Sequence, residues 1–358
     1  MTSPLGTSPA GTPMKTLTAI EYHEATSREP LRAPDIPPTG KRSLAATIFA
    51  GNQGLRSGWS ALLFMSLALA FVFSASALER AITHTQRSQT MSPVEDLLHE
   101  SALLGALFLA TLIMARIERR SVFSYGFRDD RKLMRLVSGT VVGFLFISGL
   151  VGLLWTTHAL AFDGKMLHGL LAWKYALLWF AAYMVVALFE EGLARGYLQF
   201  ALTRGLTFWG AAAVTSVLFG LLHVGNEGES PMGIFFAIAG SLVFCLGLKL
   251  TGSLWWIVGV HAGVDFAEGY FYGTAESGGL RQGHLYATHP VGKAFWSGGA
   301  TGPEGSVYAL LLLLLMAAGM WLMWGGGPLV QPISSRLTQR RSSAERRAAS
   351  NAHSTAQA

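Results

Sequence analysis

The sequence predicts an all-α protein, a polytopic membrane helix bundle of about eight transmembrane helices. Three observations lead there. Charged residues make up 13% of the 358, about half the ~25% of ordinary soluble chains. Those charges are unevenly spread. The stretches 57–78, 136–162, 205–226, 230–248 and 305–335 carry none, and a helix needs roughly 20 mostly apolar residues to cross a bilayer. The apolar runs are also continuous, whereas an outer-membrane barrel would alternate in segments of about 10 residues. The hydrophobic fraction of 51% is ordinary, so distribution carries the argument. A soluble domain and a peripheral protein are both excluded.

The first segment, 1–57, holds seven of the 13 prolines and no early apolar core. It reads as a disordered cytoplasmic tail, because it cannot bury enough apolar surface to offset the entropy of ordering, and no cleavable signal peptide is visible. The bundle then occupies 58–330. Spans are expected at 58–78, 97–117, 134–157, 173–203, 207–223, 232–249, 253–272 and 305–325. The second has only 15 uncharged residues, so Arg116 must snorkel. The fourth should be one long helix. The segment 273–303 is Gly-rich and reads as slack, with local order near 302–305. A basic cytoplasmic tail, 331–358, closes the chain.

Eight spans put both ends on one side. With the amino terminus inside, inner segments carry 21 of the 27 Lys and Arg and outer segments six. The positive-inside rule then gives a multi-pass protein of the cell (plasma) membrane with both termini cytoplasmic. The net charge of +6 lies between spans and forms no aromatic-interleaved patch, so no nucleic-acid partner is expected. Cys245 is the one cysteine. No intramolecular disulfide is possible.

Ionisable groups inside a span cost on the order of 2.5–3.5 kcal/mol each on insertion scales. Glu190 and Glu191 follow the apolar run 175–189, His223 ends the fifth span, and His261 and Asp265 lie within the seventh. Counted from the turns at Arg204, Thr207 and Gly252, these residues lie roughly 20–24 Å along their helices, at a similar depth. Glu191 and Arg195, and His261 and Asp265, are i,i+4 pairs that share a helix face. Arg195 is expected to neutralise and orient the acid pair. Adjacent glutamates in low dielectric do not both ionise easily, a property suited to a general base or acid.

These residues carry a family resemblance. Glu190-Glu191-Gly-Leu-Ala-Arg195 resembles the E-E-x-x-x-R block of the CAAX-protease and bacteriocin-processing (CPBP) intramembrane peptidases, of CAAX prenyl endopeptidase type. Phe219-Gly-Leu-Leu-His223 is similar to their F-x-x-x-H block, and His261-Ala-Gly-Val-Asp265 to their H-x-x-x-N/D block. The resemblance covers about 170–275. It implies hydrolysis of a peptide bond within the membrane. Glu190 would activate a water, His223 would position it, and His261 and Asp265 would stabilise the tetrahedral oxyanion. Glu191 and Arg195 would support Glu190, and Phe219 would be packing. The third block ends in Asp, where the eukaryotic CAAX endopeptidases have Asn. An ionised carboxylate cannot donate a hydrogen bond, which leaves open whether Asp265 acts as donor or as ligand.

The family has been described both as metallopeptidase and as metal-free glutamate peptidase. The residue types permit both. Zinc would fall to Glu190, His223, His261 and Asp265, whereas the absence of an H-E-x-x-H pair favours a site without cofactor. The implied partners are the bilayer and a peptide or protein substrate, lipid-modified in the eukaryotic relatives. Glu268, one turn beyond Asp265, is expected near the outer interface. Two other classes fit the buried acids: a proton-coupled transporter, since Asp, Glu and His chains mark proton relays, and a non-catalytic scaffold or immunity protein with the same fold.

Overall fold

The computed structural model describes residues 50–51, 54–83 and 90–325. The tail expected at 331–358, and all but the last few residues of the one expected at 1–57, lie outside the described residues. Among the described residues, eight helices of twelve residues or more appear in the expected order. They are α1 (Ser57–Thr83), α2 (Pro93–Ile117) and α3 (Lys132–Thr156), then α4 (Gly169–Glu191), which runs through a π-helical turn, Gly192–Tyr197, into Leu198–Thr203. After them come α5 (Phe208–Leu222), α6 (Pro231–Thr251), α7 (Leu254–Asp265) and α8 (Val307–Trp324). Among the described residues, seven are long and apolar enough to cross a membrane. The other, α7, is shorter and continues as a second π-helical stretch, Phe266–Tyr272.

Local chemistry sets the helix starts. Ser92 caps α2 by accepting from the Glu95 amide, and Pro93 fills the first turn, where a missing N–H costs nothing. The helix therefore begins four residues before the expected 97. Ser230 and Pro231 start α6 in the same way. Gly252, at φ 68°, closes α6 and turns the chain into α7, a left-handed conformation that glycine adopts without strain. The outward faces carry exposed Leu170, Leu314 and Leu322. A soluble surface would not carry such apolar patches; a lipid-facing one does.

The α7 helix is the hub. It contacts α3, α4 and α6, and most of its residues are buried. Its closest neighbour is α3, and glycine is the reason. A Cβ on Gly139 or Gly143 would lie 2.1 Å from the Trp256 carbonyl oxygen or 2.0 Å from that of Val260. Reciprocally, one on Gly259 or Gly263 would lie 2.2 Å from the oxygens of Leu136 and Thr140. Each helix presents a small-xxx-small pair to the other, so the backbones touch directly. His261 lies between the two α7 glycines in sequence and points the opposite way, toward α4. Trp256 is buried, its ring 5.1 Å from that of Trp324.

The segment 273–303 is not slack. Its residues Tyr286–Pro290 (β2) pair antiparallel with Leu160–Lys165 (β1). Ser277 donates to Glu304 through its amide and its hydroxyl, at 2.7 and 2.9 Å. Thr301 accepts from the Ser230 amide at 2.9 Å. The glycines serve close packing here: at Gly302, with φ 111°, a Cβ would lie 2.1 Å from the Ala275 carbonyl oxygen. This folded loop covers the end of the bundle beside the start of α6.

Candidate active site

The α4 helix delivers the acid pair. Its apolar run ends at Glu190 and Glu191, and the widened π turn follows at once. Such turns re-aim side chains and are frequent at functional sites. Gly196 leaves helical geometry there, with ψ −116°. A clamp fixes the far side of the turn. Tyr197 donates to Glu118 at 2.6 Å, and Arg204 pairs with the same carboxylate at 2.8 Å, tying α4 to the end of α2.

Arg195 Nη1 meets Glu191 Oε1 at 2.7 Å, and both side chains are fully buried. The guanidinium also lies over two rings, Phe219 of α5 at 4.7 Å and Phe244 of α6 at 5.5 Å. Cation–π contacts strengthen when desolvated. Phe219 is therefore more than filler below His223: its ring lies 4.7 Å from that imidazole, and Phe244 lies 5.9 Å from that of His261. One buried cation thus touches both rings that flank the histidines.

His261 links the carboxylates. Its Nδ1 is 2.8 Å from Glu191 Oε1, and a carboxylate there requires Nδ1 to carry the hydrogen. Its Nε2 lies 3.6 Å from Glu190 Oε2 and 3.5 Å from Asp265 Oδ2, at ion-pair separation. Five of the six residues singled out from the sequence, namely Glu190, Glu191, Arg195, His261 and Asp265, therefore form one connected chain.

His223 follows directly on the last residue of α5. It begins the one-turn helix His223–Gly225, and its Nδ1 bonds the Phe219 carbonyl at 2.9 Å. That leaves Nε2 with its lone pair in the neutral ring. His223 and Glu190 share the wall of a cavity of about 250 Å3, with apolar Met65 and Val72 of α1, Leu107 of α2 and Phe189 of α4 completing it. The two histidines thus approach Glu190 separately, and His223 has no direct bond to His261 among the described contacts.

Among the described residues, no three His, Cys, Asp or Glu side chains form a ready metal site. His261 Nε2 lies 3.6 Å from Glu190 and 3.5 Å from Asp265, close to the ~3.3 Å between two ligands that share a tetrahedral zinc, and His223 lines the cavity.

Three contributors escaped sequence reasoning. Phe244 belongs to no block. Glu268, expected near the outer interface, is fully buried; its i+3 spacing from Asp265 was the available signal. Glu304 approaches from the covering loop, where burial, followed by the nearby Glu229, pushes its carboxyl up to about 7 against the Ser277 hydrogen bonds.

The fold and these contacts define a class: a multi-pass membrane helix bundle holding a buried carboxylate–imidazole–guanidinium centre. Residues 171–267, which contain all six site residues, match the sequence model of one family, described as type II CAAX prenyl endopeptidase Rce1-like. The stretch that carries the site is thus similar to the CAAX-protease (CPBP) family. Comparisons with curated proteins and with solved structures gave no match.

Proposed function

We propose that the protein is an intramembrane endopeptidase that hydrolyses a peptide bond with a water activated by Glu190. The observation that carries this reading is the chain Arg195–Glu191–His261–Glu190, which ends on the wall of the cavity shared with His223. The Glu190 side chain is 27% exposed, whereas Glu191 is sealed. Water can therefore reach the first carboxylate and not the second.

In this reading the Glu190 carboxylate takes a proton from water, and the water oxygen bonds to the scissile carbonyl carbon. The lone pair of His223 Nε2 accepts the second water hydrogen and orients the nucleophile. His261, when doubly protonated, donates Nδ1–H to Glu191 and presents Nε2–H to the developing oxyanion, a preorganised donor of the kind that lowers such barriers. Asp265 Oδ2, 3.5 Å from that nitrogen, faces the doubly protonated ring as an ion-pair partner without taking its hydrogen. Collapse of the intermediate breaks the C–N bond as Glu190 passes its proton to the nitrogen. Every step uses the chain's own residues.

The apolar cavity wall suits an apolar or lipid-modified peptide, and the charge distribution supports cytoplasmic termini at the cell membrane. The test is hydrolysis of an internally quenched peptide ending in a prenylated Cys-a-a-X sequence by purified protein in lipid nanodiscs. Wild type is expected to cleave it. Glu190→Gln is expected to insert normally and to lose at least ~100-fold, as removal of a general base does. Equal activity in the two proteins refutes the assignment. Proton flux through the same nanodisc-derived liposomes would point to a transporter instead.

A further inference from the structure

Three buried acid oxygens at the end of α7 and in its π-helical continuation have no hydrogen-bond donor: Oδ2 of Asp265 and both oxygens of Glu268. Asp265 is 6% exposed and Glu268 0%. Glu268 follows Asp265 by about one turn within the π-helical stretch. The charges that act most on it are those of Glu304, Glu276, Asp265 and Glu229, so its carboxyl lies in an acidic region.

The other acids in that region are engaged. Glu276 is paired with Arg281 at 3.0 Å. Glu304 accepts twice from Ser277, and Glu229 accepts from the Ser230 amide at 2.9 Å. Asp265 Oδ2 has only the ion-pair approach of His261 Nε2, at 3.5 Å. Buried polar atoms normally find a partner, and an unpaired carboxyl is among the costliest groups to bury. Here the open acceptors begin beside His261 and extend one turn beyond the reacting centre.

We propose that Glu268, together with Asp265, is the subsite for the amine product of the reaction. The inference rests on the endopeptidase reading. Hydrolysis breaks the C–N bond. The nitrogen receives the proton held by Glu190, and the new carboxylic acid then gives its proton to the amine. The products are a carboxylate and an ammonium. An ammonium presents three N–H donors, which matches the three open oxygens in number. A peptide amide has one N–H and no charge. The subsite therefore favours the cleaved fragment over the uncut chain, and it distinguishes a free amino terminus from a blocked one.

Binding without turnover tests this. The probe is the apolar tripeptide Val-Leu-Leu with a free amino terminus, compared with its N-acetylated form, titrated calorimetrically into full-length protein in nanodiscs. Wild type is expected to bind the free amine about tenfold more tightly, as a charge-assisted contact should give. Glu268→Gln, nearly isosteric, is expected to reduce that preference to about twofold and to leave the affinity for the acetylated form unchanged. In the cleavage assay it is expected to lose the product inhibition that the free tripeptide causes in wild type. Absence of an amine preference in wild type overturns the proposal, and so does its retention in Glu268→Gln. If that variant fails to fold, Glu268→Asp is read instead: a shortened carboxylate is expected to weaken the preference, and an undiminished one overturns the proposal. The two readings fail separately. An amine preference with no effect of Glu190→Gln on cleavage removes the Glu190 assignment and keeps the subsite. Loss of cleavage in Glu190→Gln without any amine preference does the reverse.

Discussion

Replacing Gly263 by alanine tests how much of the site depends on the contact between α3 and α7. The added Cβ would lie 2.2 Å from the Thr140 carbonyl oxygen and 3.0 Å from the Phe144 amide nitrogen, both backbone atoms that cannot rotate away. Ordinary contact begins near 3.4 Å, so the helices must part by about 1.2 Å there. His261 and Asp265 flank Gly263 two residues away on either side. Because His261 points from the opposite face of α7 toward α4, a shift of α7 by that amount pushes its imidazole against Glu191, already 2.8 Å away, and forces it out of its hydrogen-bonded alignment. Overpacking costs typically 1–3 kcal/mol, and a misplacement of about 1 Å can lower turnover about 100-fold. The assay pairs kcat on the quenched prenyl peptide with thermal unfolding followed by tryptophan fluorescence. Gly149→Ala is the control. It lies on the same α3, has no neighbour within 4 Å of its added Cβ, and is expected to leave kcat unchanged. Wild-type turnover in Gly263→Ala would refute the claim that backbone contact sets the position of His261.

Other outcomes follow from the buried charges and rings. Arg195→Met strands the fully buried Glu191 and is expected to cost about 3–5 kcal/mol, whereas Glu191→Gln with Arg195→Met is expected to recover most of that loss; unfolding midpoints in one detergent decide it. Phe244→Leu removes the ring beside both Arg195 and His261 and is expected to lower kcat about tenfold with KM unchanged, with Phe244→Trp restoring it; an effect confined to KM would contradict a positioning role. The Glu304 carboxyl stands at about 7 in the folded chain against 4.5 for the free side chain. Between those values the folded state binds more protons than the unfolded one, so stability falls as pH rises through that window and levels off above it. Glu304→Gln is expected to flatten that decline in a pH series of melting temperatures; an unchanged slope would remove Glu304 as its source.

The helical blocks were legible because their spacing is local. An i,i+4 pair on a helix shares a face in any fold, so Glu191 with Arg195 and His261 with Asp265 could be paired before any coordinates. Phe244 could not be found this way. Its partners, Arg195 and His261, lie on two other helices, and nothing in its own helix marks it. Glu268 was misread because distance along the chain from a turn measures depth and not exposure. The covering loop buries that end of α7, so a residue counted toward the interface is sealed. The Gly-rich loop was misread for a related reason: its glycines permit backbone contacts such as Gly302 with Ala275, and composition alone does not separate close packing from slack.

By itself the sequence determined that this chain is a bundle of apolar helices and which few ionisable residues the bundle must enclose. Both follow from the cost of placing backbone and charge in hydrocarbon, which acts on each segment separately. Only the tertiary structure decided that His261 joins Glu190 to Glu191, that His223 lines a cavity with Glu190, and that Glu268 is left without a donor. Those facts depend on how closely α3, α4, α6 and α7 approach one another. That approach is set by glycine against backbone and by rings against a guanidinium, contacts between residues distant in the chain.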